Sequence, residues 1–177
     1  MKICFITPAP PLRGGISTSS SILINHLSNR KIDLLVISFK NLYPNFLFPG
    51  KTQYNKRNQD NNTLFLIESM NPISWRNTVN QILEFNPKVL FIRYWNPFFC
   101  LSLGYIASKV KQKNKDIKIV ALCDNIFSHE NYYIPKLVYK FFFNTINQFI
   151  LISEYVSYDL KKIIKNPNYI TLFHPIY

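Results

Sequence analysis

The sequence predicts an α/β protein: a doubly wound, mostly parallel sheet of about seven strands with helices on both faces. Three observations carry this. Short, continuously apolar runs recur along the chain, as strands buried on both faces of a parallel sheet require. Segments with helical periodicity separate most of them, and strand alternating with helix means βαβ units joined by right-handed crossovers. Finally, 177 residues of which 47% are hydrophobic suffice for one domain with a real core, but not for two ordinary ones.

The strands are read at Lys2–Thr7, Asp33–Ser38, Thr63–Ile67, Val89–Arg93, Ile117–Leu122, Gln148–Ile152 and Tyr169–Leu172. The helices are read at Ile16–Leu27, Ser74–Phe85, Pro97–Lys113, Tyr132–Thr145 and Glu154–Ile164. In the first of these Ile16, Leu23 and Leu27 share one stripe. Lys40–Asn62 breaks the rhythm: NLYPNFLFPGKTQY is aromatic and proline-rich, and NKRNQDNN is polar. A loop of this length inside a compact domain is usually functional or disordered. No internal repeat exists beyond the βα alternation.

The net charge of +12 implies attraction to phosphate-rich partners: nucleic acid, an anionic membrane surface or a phosphorylated small molecule. Its clusters, Lys51/Lys56/Arg57, Lys109 to Lys118 and Lys161/Lys162/Lys165, lie far apart in sequence. Each alone reads as a solvated face, and without a recognised motif or concentrated basic stripe nucleic acid is not expected as a partner. Three cysteines without CxxC spacing read as reduced core residues of a cytoplasmic protein, Cys4 and Cys123 in strands and Cys100 at a helix start. No histidines or acids stand close enough to them to suggest a metal. Pro8, Pro10 and Pro11 break the apolar N-terminal stretch before it resembles a signal peptide. Ile134–Ile152, interrupted by Lys136, Lys140, Asn144 and Asn147, falls short of a membrane span.

Ala121 to Glu130 (ALCDNIFSHE) is the most informative stretch. It places Asp124, Asn125, His129 and Glu130 just past the carboxyl end of a strand, the edge where ligands bind in open α/β sheets. Asp124 or His129 can accept or orient the proton of an acceptor hydroxyl. The alternative is a turn-capping Asp124 or Asn125 and an ordinary surface His129. Gly14-Gly15 opens a helix after the first strand, where free N–H groups and the helix dipole favour a phosphate. The same pair also fits a plain tight turn. It is neither GxGxxG nor GxxxxGK[ST], so a dinucleotide cofactor and an NTPase P-loop are not expected. Arg93 and Tyr94, followed by Trp95, end the fourth strand and read either as sugar or phosphate contacts or as helix-entry packing. Phe98 reads as core. His26 reads as structural, and His174 lies in a tail. The aromatic, lysine-bearing Tyr132–Thr145 fits core packing, and also fits an anionic membrane surface.

In order along the chain, KICFITPAPPLRGGIS, YPNFLFPGKTQY, RYWNPFFCLSLGYIA and CDNIFSHE, with a weaker LISEYVSYDL and HPIY, carry a resemblance. The chain resembles the N-terminal half of GT-B-fold retaining glycosyltransferases, the large family that includes sucrose synthase and phosphatidylinositol mannosyltransferases. In that family two Rossmann-like domains face each other, the first binding mainly the acceptor and the second a nucleotide sugar. The resemblance implies a domain over 1–172 with 173–177 opening an interdomain linker. It implies sugar transfer, with retention of configuration, from a nucleotide sugar to a glycan or lipid-linked acceptor, in polysaccharide biosynthesis.

Carried onto matching positions, Gly14 and Gly15 approach the donor diphosphate, while Asp124 and His129 are the catalytic candidates. Arg93, Tyr94, Asn125 and Glu130 are acceptor-binding. No cofactor or metal is implied, the nucleotide sugar being a substrate. Asp124 stands where family members often have histidine, and Ser128 where proline is usual. The family's donor domain, with its paired glutamates and its arginine and lysine, is not in the sequence. The chain alone is therefore expected to be inactive and truncated relative to the family, with a donor-domain partner chain as one complement. Cytoplasmic location with peripheral contact at the inner membrane face is the matching expectation. The alternative is a stand-alone binding module for a sugar or phosphate ligand on the same scaffold.

Overall fold

The computed structural model describes residues 1–43, 52–54, 63–128 and 134–172. Seven strands, β1 (Lys2–Ile6), β2 (Asp33–Asn41), β3 (Thr63–Glu68), β4 (Val89–Tyr94), β5 (Lys118–Cys123), β6 (Gln148–Leu151) and β7 (Tyr169–Thr171), form one all-parallel sheet. Their order is β3-β2-β1-β4-β5-β6-β7. The chain divides into two compact units, Met1–Leu90 and Phe91–Tyr177.

In the first unit β1 pairs with β2 in register from Lys2↔Asp33 to Ile6↔Ile37. β2 runs on to Asn41, past the expected Ser38, through two register shifts against β3. The core here includes Phe5, Ile6, Ile37, Phe39, Ile67 and Ile82, all buried. Helix α1 (Gly15–Ser28) only half-buries the expected stripe of Ile16, Leu23 and Leu27. Its buried positions are Ser17, Ser19, Ser20 and Ile24. Serine is small enough for a helix to lie close on its support, and Ser20 Oγ meets the Thr7 hydroxyl of the β1 exit at 2.6 Å. Helix α2 (Pro72–Phe85) has both termini specified locally. Asn71 Oδ1 accepts from the Ile73 N–H at 3.0 Å, Pro72 occupies the first turn, and Asn86 ends the helix in the left-handed region at φ 50°.

In the second unit the expected Pro97–Lys113 helix divides. A 3₁₀ turn at Pro97–Phe99 precedes α3 (Cys100–Lys113), because Asn96 caps the turn by accepting from the Phe98 N–H. Phe98 is only half-buried, whereas Phe99 is buried completely. Helix α4 (Lys136–Phe143) starts later than the expected Tyr132, directly after Pro135, which takes the N-cap position with extended ψ 140° and has no N–H to pair. Helix α5 (Glu154–Ile163) has a Ser153 cap, Glu154 in its first turn and Lys161 and Lys162 in its last, a charge order that matches the helix dipole. Its core gathers Tyr94, Phe99, Phe142 and Phe143, with ring centroids 5.1 Å apart for Tyr94–Phe143 and 5.5 Å for Tyr94–Phe142. Gly104 of α3 lies against α4, since a Cβ there would stand 3.2 Å from the Phe142 Cα. Among the described residues no helix is long and apolar enough to cross a membrane.

Candidate functional site

The second unit holds the polar cluster with the most definite geometry. Arg93 and Asp124 end β4 and follow β5, strands that are neighbours in the sheet. Arg93 Nε donates to Asp124 Oδ2 and Nη2 donates to Oδ1, both at 2.8 Å, with the residues 4% and 5% exposed. This is the bidentate fork that guanidinium and carboxylate form best. Two further bonds fasten the same turn. The Asp124 N–H donates to the Tyr94 carbonyl at 2.9 Å, and the Tyr94 hydroxyl donates to the Ile126 carbonyl at 2.9 Å. The Arg93-Tyr94 and Asp124-Asn125 motifs, read as separate in the sequence, therefore form one clamp.

The clamp defines what each member can do. Both Asp124 oxygens are engaged and shielded from solvent, so the carboxylate holds the 123–126 turn on β4; proton exchange with a substrate hydroxyl requires the pair to separate. Tyr94, expected to line the acceptor side, has a wholly buried side chain in the aromatic core and presents no atom to solvent. Burial raises its hydroxyl pKa well above the usual phenolic value, and the neighbouring Cys100 thiol adds to the shift. The three cysteines are free and buried; burial pushes Cys100 up to about 12 and raises Cys4 and Cys123 well above the ordinary thiol value. Asn125 is different: it is half-buried, and among the described residues no partner takes its carboxamide. It is the member of the turn best placed to meet a ligand. His129, Glu130 and His174 lie outside the described residues.

The first unit holds the glycine turn. Gly14 adopts φ 121° and ψ 162°, a conformation open essentially to glycine alone. Gly15 begins α1, is exposed, and has open space where a Cβ would stand. The turn leading there is pinned at several points. The Ala9 N–H donates to Ser38 Oγ at 3.0 Å, and the Arg13 N–H donates to the Gln53 carbonyl at 2.9 Å. Leu12 forms an antiparallel bridge with Tyr54. His26 sits on the exposed side of α1 with its ring Nδ1 against the Ile22 carbonyl at 3.1 Å.

Gln53 was not singled out in the sequence. Its buried Oε1 accepts from the Leu42 and Tyr43 N–H groups, each at 3.0 Å, and its Nε2 donates to the Tyr43 carbonyl at 2.7 Å. One residue thus ties the β2 exit, through its side chain, to the segment carrying Arg13, through its main-chain carbonyl. Of the expected Lys40–Asn62 loop, 44–51 and 55–62 lie outside the described residues. A cleft of about 230 Å³, lined by Asn41, Glu68, Ser69, Met70 and Asn71, opens beyond the ends of β2 and β3. Its polar side chains already bond one another and their surroundings: Asn41 Oδ1 accepts from the Tyr54 hydroxyl, Ser69 Oγ donates to the Asn41 carbonyl, and Asn71 Nδ2 donates to Glu68 Oε2.

No protein-family model and no curated protein matches this chain. Solved structures do. The apo form of the lipopolysaccharide outer core galactosyltransferase WaaB superposes with a TM-score of 0.63 at 16% identity, over 99% of this chain and 46% of that one. A UDP-GlcNAc 2-epimerase from Methanocaldococcus jannaschii gives 0.60 at 15% identity, over 97% of this chain and 45% of that one. The chain therefore has a GT-B-like, Rossmann-like fold, and spans less than half the length of each of these neighbours.

Proposed function

We propose that this chain is the acceptor-side half of a glycosyltransferase that moves a sugar from a nucleotide sugar to a glycan or lipid-linked acceptor with retention of configuration. The observation that carries the reading is the fit of nearly the whole chain to under half of a galactosyltransferase. In this reading Gly15, with open space at its Cα, lets backbone N–H groups of the α1 terminus meet the donor diphosphate. Asn125 contacts the acceptor, with His129 and Glu130 following it in the chain. Arg93 and Asp124 act by positioning that turn. Leaving-group charge is met by amides and basic side chains, and such preorganised charge usually supplies the largest share of rate. A donor half is required for turnover, as a continuation of the same frame or as a separate chain.

The test begins with the reading frame beyond the Tyr177 codon and with ligand binding by the 177-residue chain. A continuing frame or neighbouring gene encoding a second α/β domain, together with glycan binding by this chain, supports the transferase reading. Glycan or sugar-phosphate binding with no second domain in frame or nearby supports the stand-alone binding module instead.

A further inference from the structure

The second unit carries a basic cleft that the proposed transfer reaction does not use. Lys136 and Lys140 from α4, Asn144 at its C-cap, and Lys161, Lys162 and Lys165 at the end of α5, with Ile163 and Ile164, line a space of about 350 Å³. Five lysines and no carboxylate line it. Lys162 is paired with the buried Asp159 at 2.7 Å, and its ammonium also lies 4.3 Å from the Tyr158 ring centroid. Lys161 stacks over Tyr169 at 5.1 Å. Among the described residues no acid pairs with Lys136, Lys140 or Lys165. The other acid of α5, Glu154, stands at the opposite end of the helix from Lys161 and Lys162.

The apolar surface beside the cleft identifies the ligand more narrowly than charge does. On α4 and at its C-cap the exposed residues are Lys136, Leu137, Lys140, Phe141 and Asn144. At roughly 100° per residue these fall within a sector of about 140°. Leu137 is 78% exposed and Phe141 43%, one helical turn apart in the same sector as the lysines. On α5, Tyr155 and Tyr158 are also exposed, side chains that suit a boundary between apolar and wet surroundings. A soluble phosphate gains nothing from an exposed leucine, and a nucleic acid backbone offers it no apolar partner. A bilayer with anionic headgroups matches both components, because interfacial binding combines buried apolar area with attraction to anionic lipid.

We propose that the α4–α5 face docks on an anionic lipid bilayer, with the lysine cleft taking headgroup phosphates and Leu137 and Phe141 entering the acyl boundary. This does not depend on the transfer reaction, and its test is a binding measurement alone. Sedimentation of the chain with phosphatidylcholine vesicles, with and without phosphatidylglycerol, reads the partition directly. Binding is expected with phosphatidylglycerol and to fall with salt. K136Q/K140Q should lower it about twenty-five-fold, taking each lysine near the surface as worth about five-fold. L137S/F141S should lower it at least ten-fold on the same vesicles while leaving the binding of inorganic pyrophosphate unchanged. K113Q/K115Q, exposed lysines at and just past the carboxyl end of α3 that do not line the cleft, removes the same charge and should leave partitioning within two-fold. The altered lysines and Leu137 are exposed, the Phe141 ring is part-covered where it lies on Gly104 of α3, and melting curves verify that each variant is folded. The proposal is overturned by vesicle binding indifferent to phosphatidylglycerol or to L137S/F141S, or by an equal loss in K113Q/K115Q. It is also overturned if K136Q/K140Q lowers binding to duplex DNA or pyrophosphate and not to vesicles.

Discussion

Arg93 and Asp124 are joined by two parallel 2.8 Å hydrogen bonds at neighbouring strand ends, both side chains shielded from solvent. Removing one partner of such a buried pair leaves the other charge uncompensated, which costs roughly 3–5 kcal/mol. Asp124→Leu and Arg93→Met should each lower unfolding stability by that order, while the double variant should recover most of the loss. Urea unfolding of the four proteins closes the cycle. Single variants that lose under about 1 kcal/mol would show that the pair does not hold the turn.

The two glycines separate fold from function. Gly14→Ala forces an L side chain into a region open essentially to glycine and should cost roughly 1–3 kcal/mol. Gly15→Ala meets no neighbour within 4 Å and enters the first turn of a helix, so stability should hold or rise slightly. If backbone N–H groups there approach the donor diphosphate, Gly15→Ala should nevertheless raise the KM for the nucleotide sugar in the complete enzyme about ten-fold or more. An unchanged KM would remove the glycine turn from the donor site.

Gln53→Ala leaves the Leu42 and Tyr43 N–H groups without their acceptor. Each buried unpaired donor costs roughly 1–3 kcal/mol. The expected result is faster amide exchange at Leu42 and Tyr43, with the Arg13 amide little affected because its acceptor is the Gln53 main chain. Unaltered exchange at all three would contradict the tie described for this side chain.

Buried thiols make the fold sensitive to alkali. Cys4, Cys100 and Cys123 have values raised above the ordinary 9.0, Cys100 to about 12, because burial penalises the thiolate. Above pH 9 the unfolded chain releases these protons and the native chain retains them, so the stabilisation present below pH 9 is lost as pH rises. Each thiol should contribute a slope of about 1.4 kcal/mol per pH unit over that window. Tyr94 adds to the fall above the ordinary phenolic value of 10.0. Urea midpoints in reductant between neutral and strongly alkaline pH check this. Cys123→Ala should flatten the curve by one thiol's share, and a flat curve in the unaltered chain would contradict the burial.

The fold was legible because parallel strands are continuous apolar runs. KICFI and KIVALC stand out against polar helix surfaces, and every strand and helix expected falls within a few residues of its observed place. Alpha1 shows what periodicity misses: its contact face uses serines, which hydropathy reads as surface. The site was partly legible. Arg93 and Asp124 each stand out in the sequence, yet their partnership depends on β4 and β5 being neighbours in the sheet. The available signal was two opposite charges at the ends of otherwise apolar strands. Gln53 carried no such signal, since one amide in a polar loop has no periodicity. Asn125 lies in the described turn, while His129 and Glu130 fall outside the described residues.

The central claim is sugar transfer, and it is tested most directly by supplying the complete reading frame's product with labelled nucleotide sugars and a membrane or glycan extract. The account expects label to pass from one nucleotide sugar to an acceptor with the anomeric configuration retained, and to fail when the 177-residue chain is used alone. Absence of transfer from every donor by a folded product that contains both halves would contradict it.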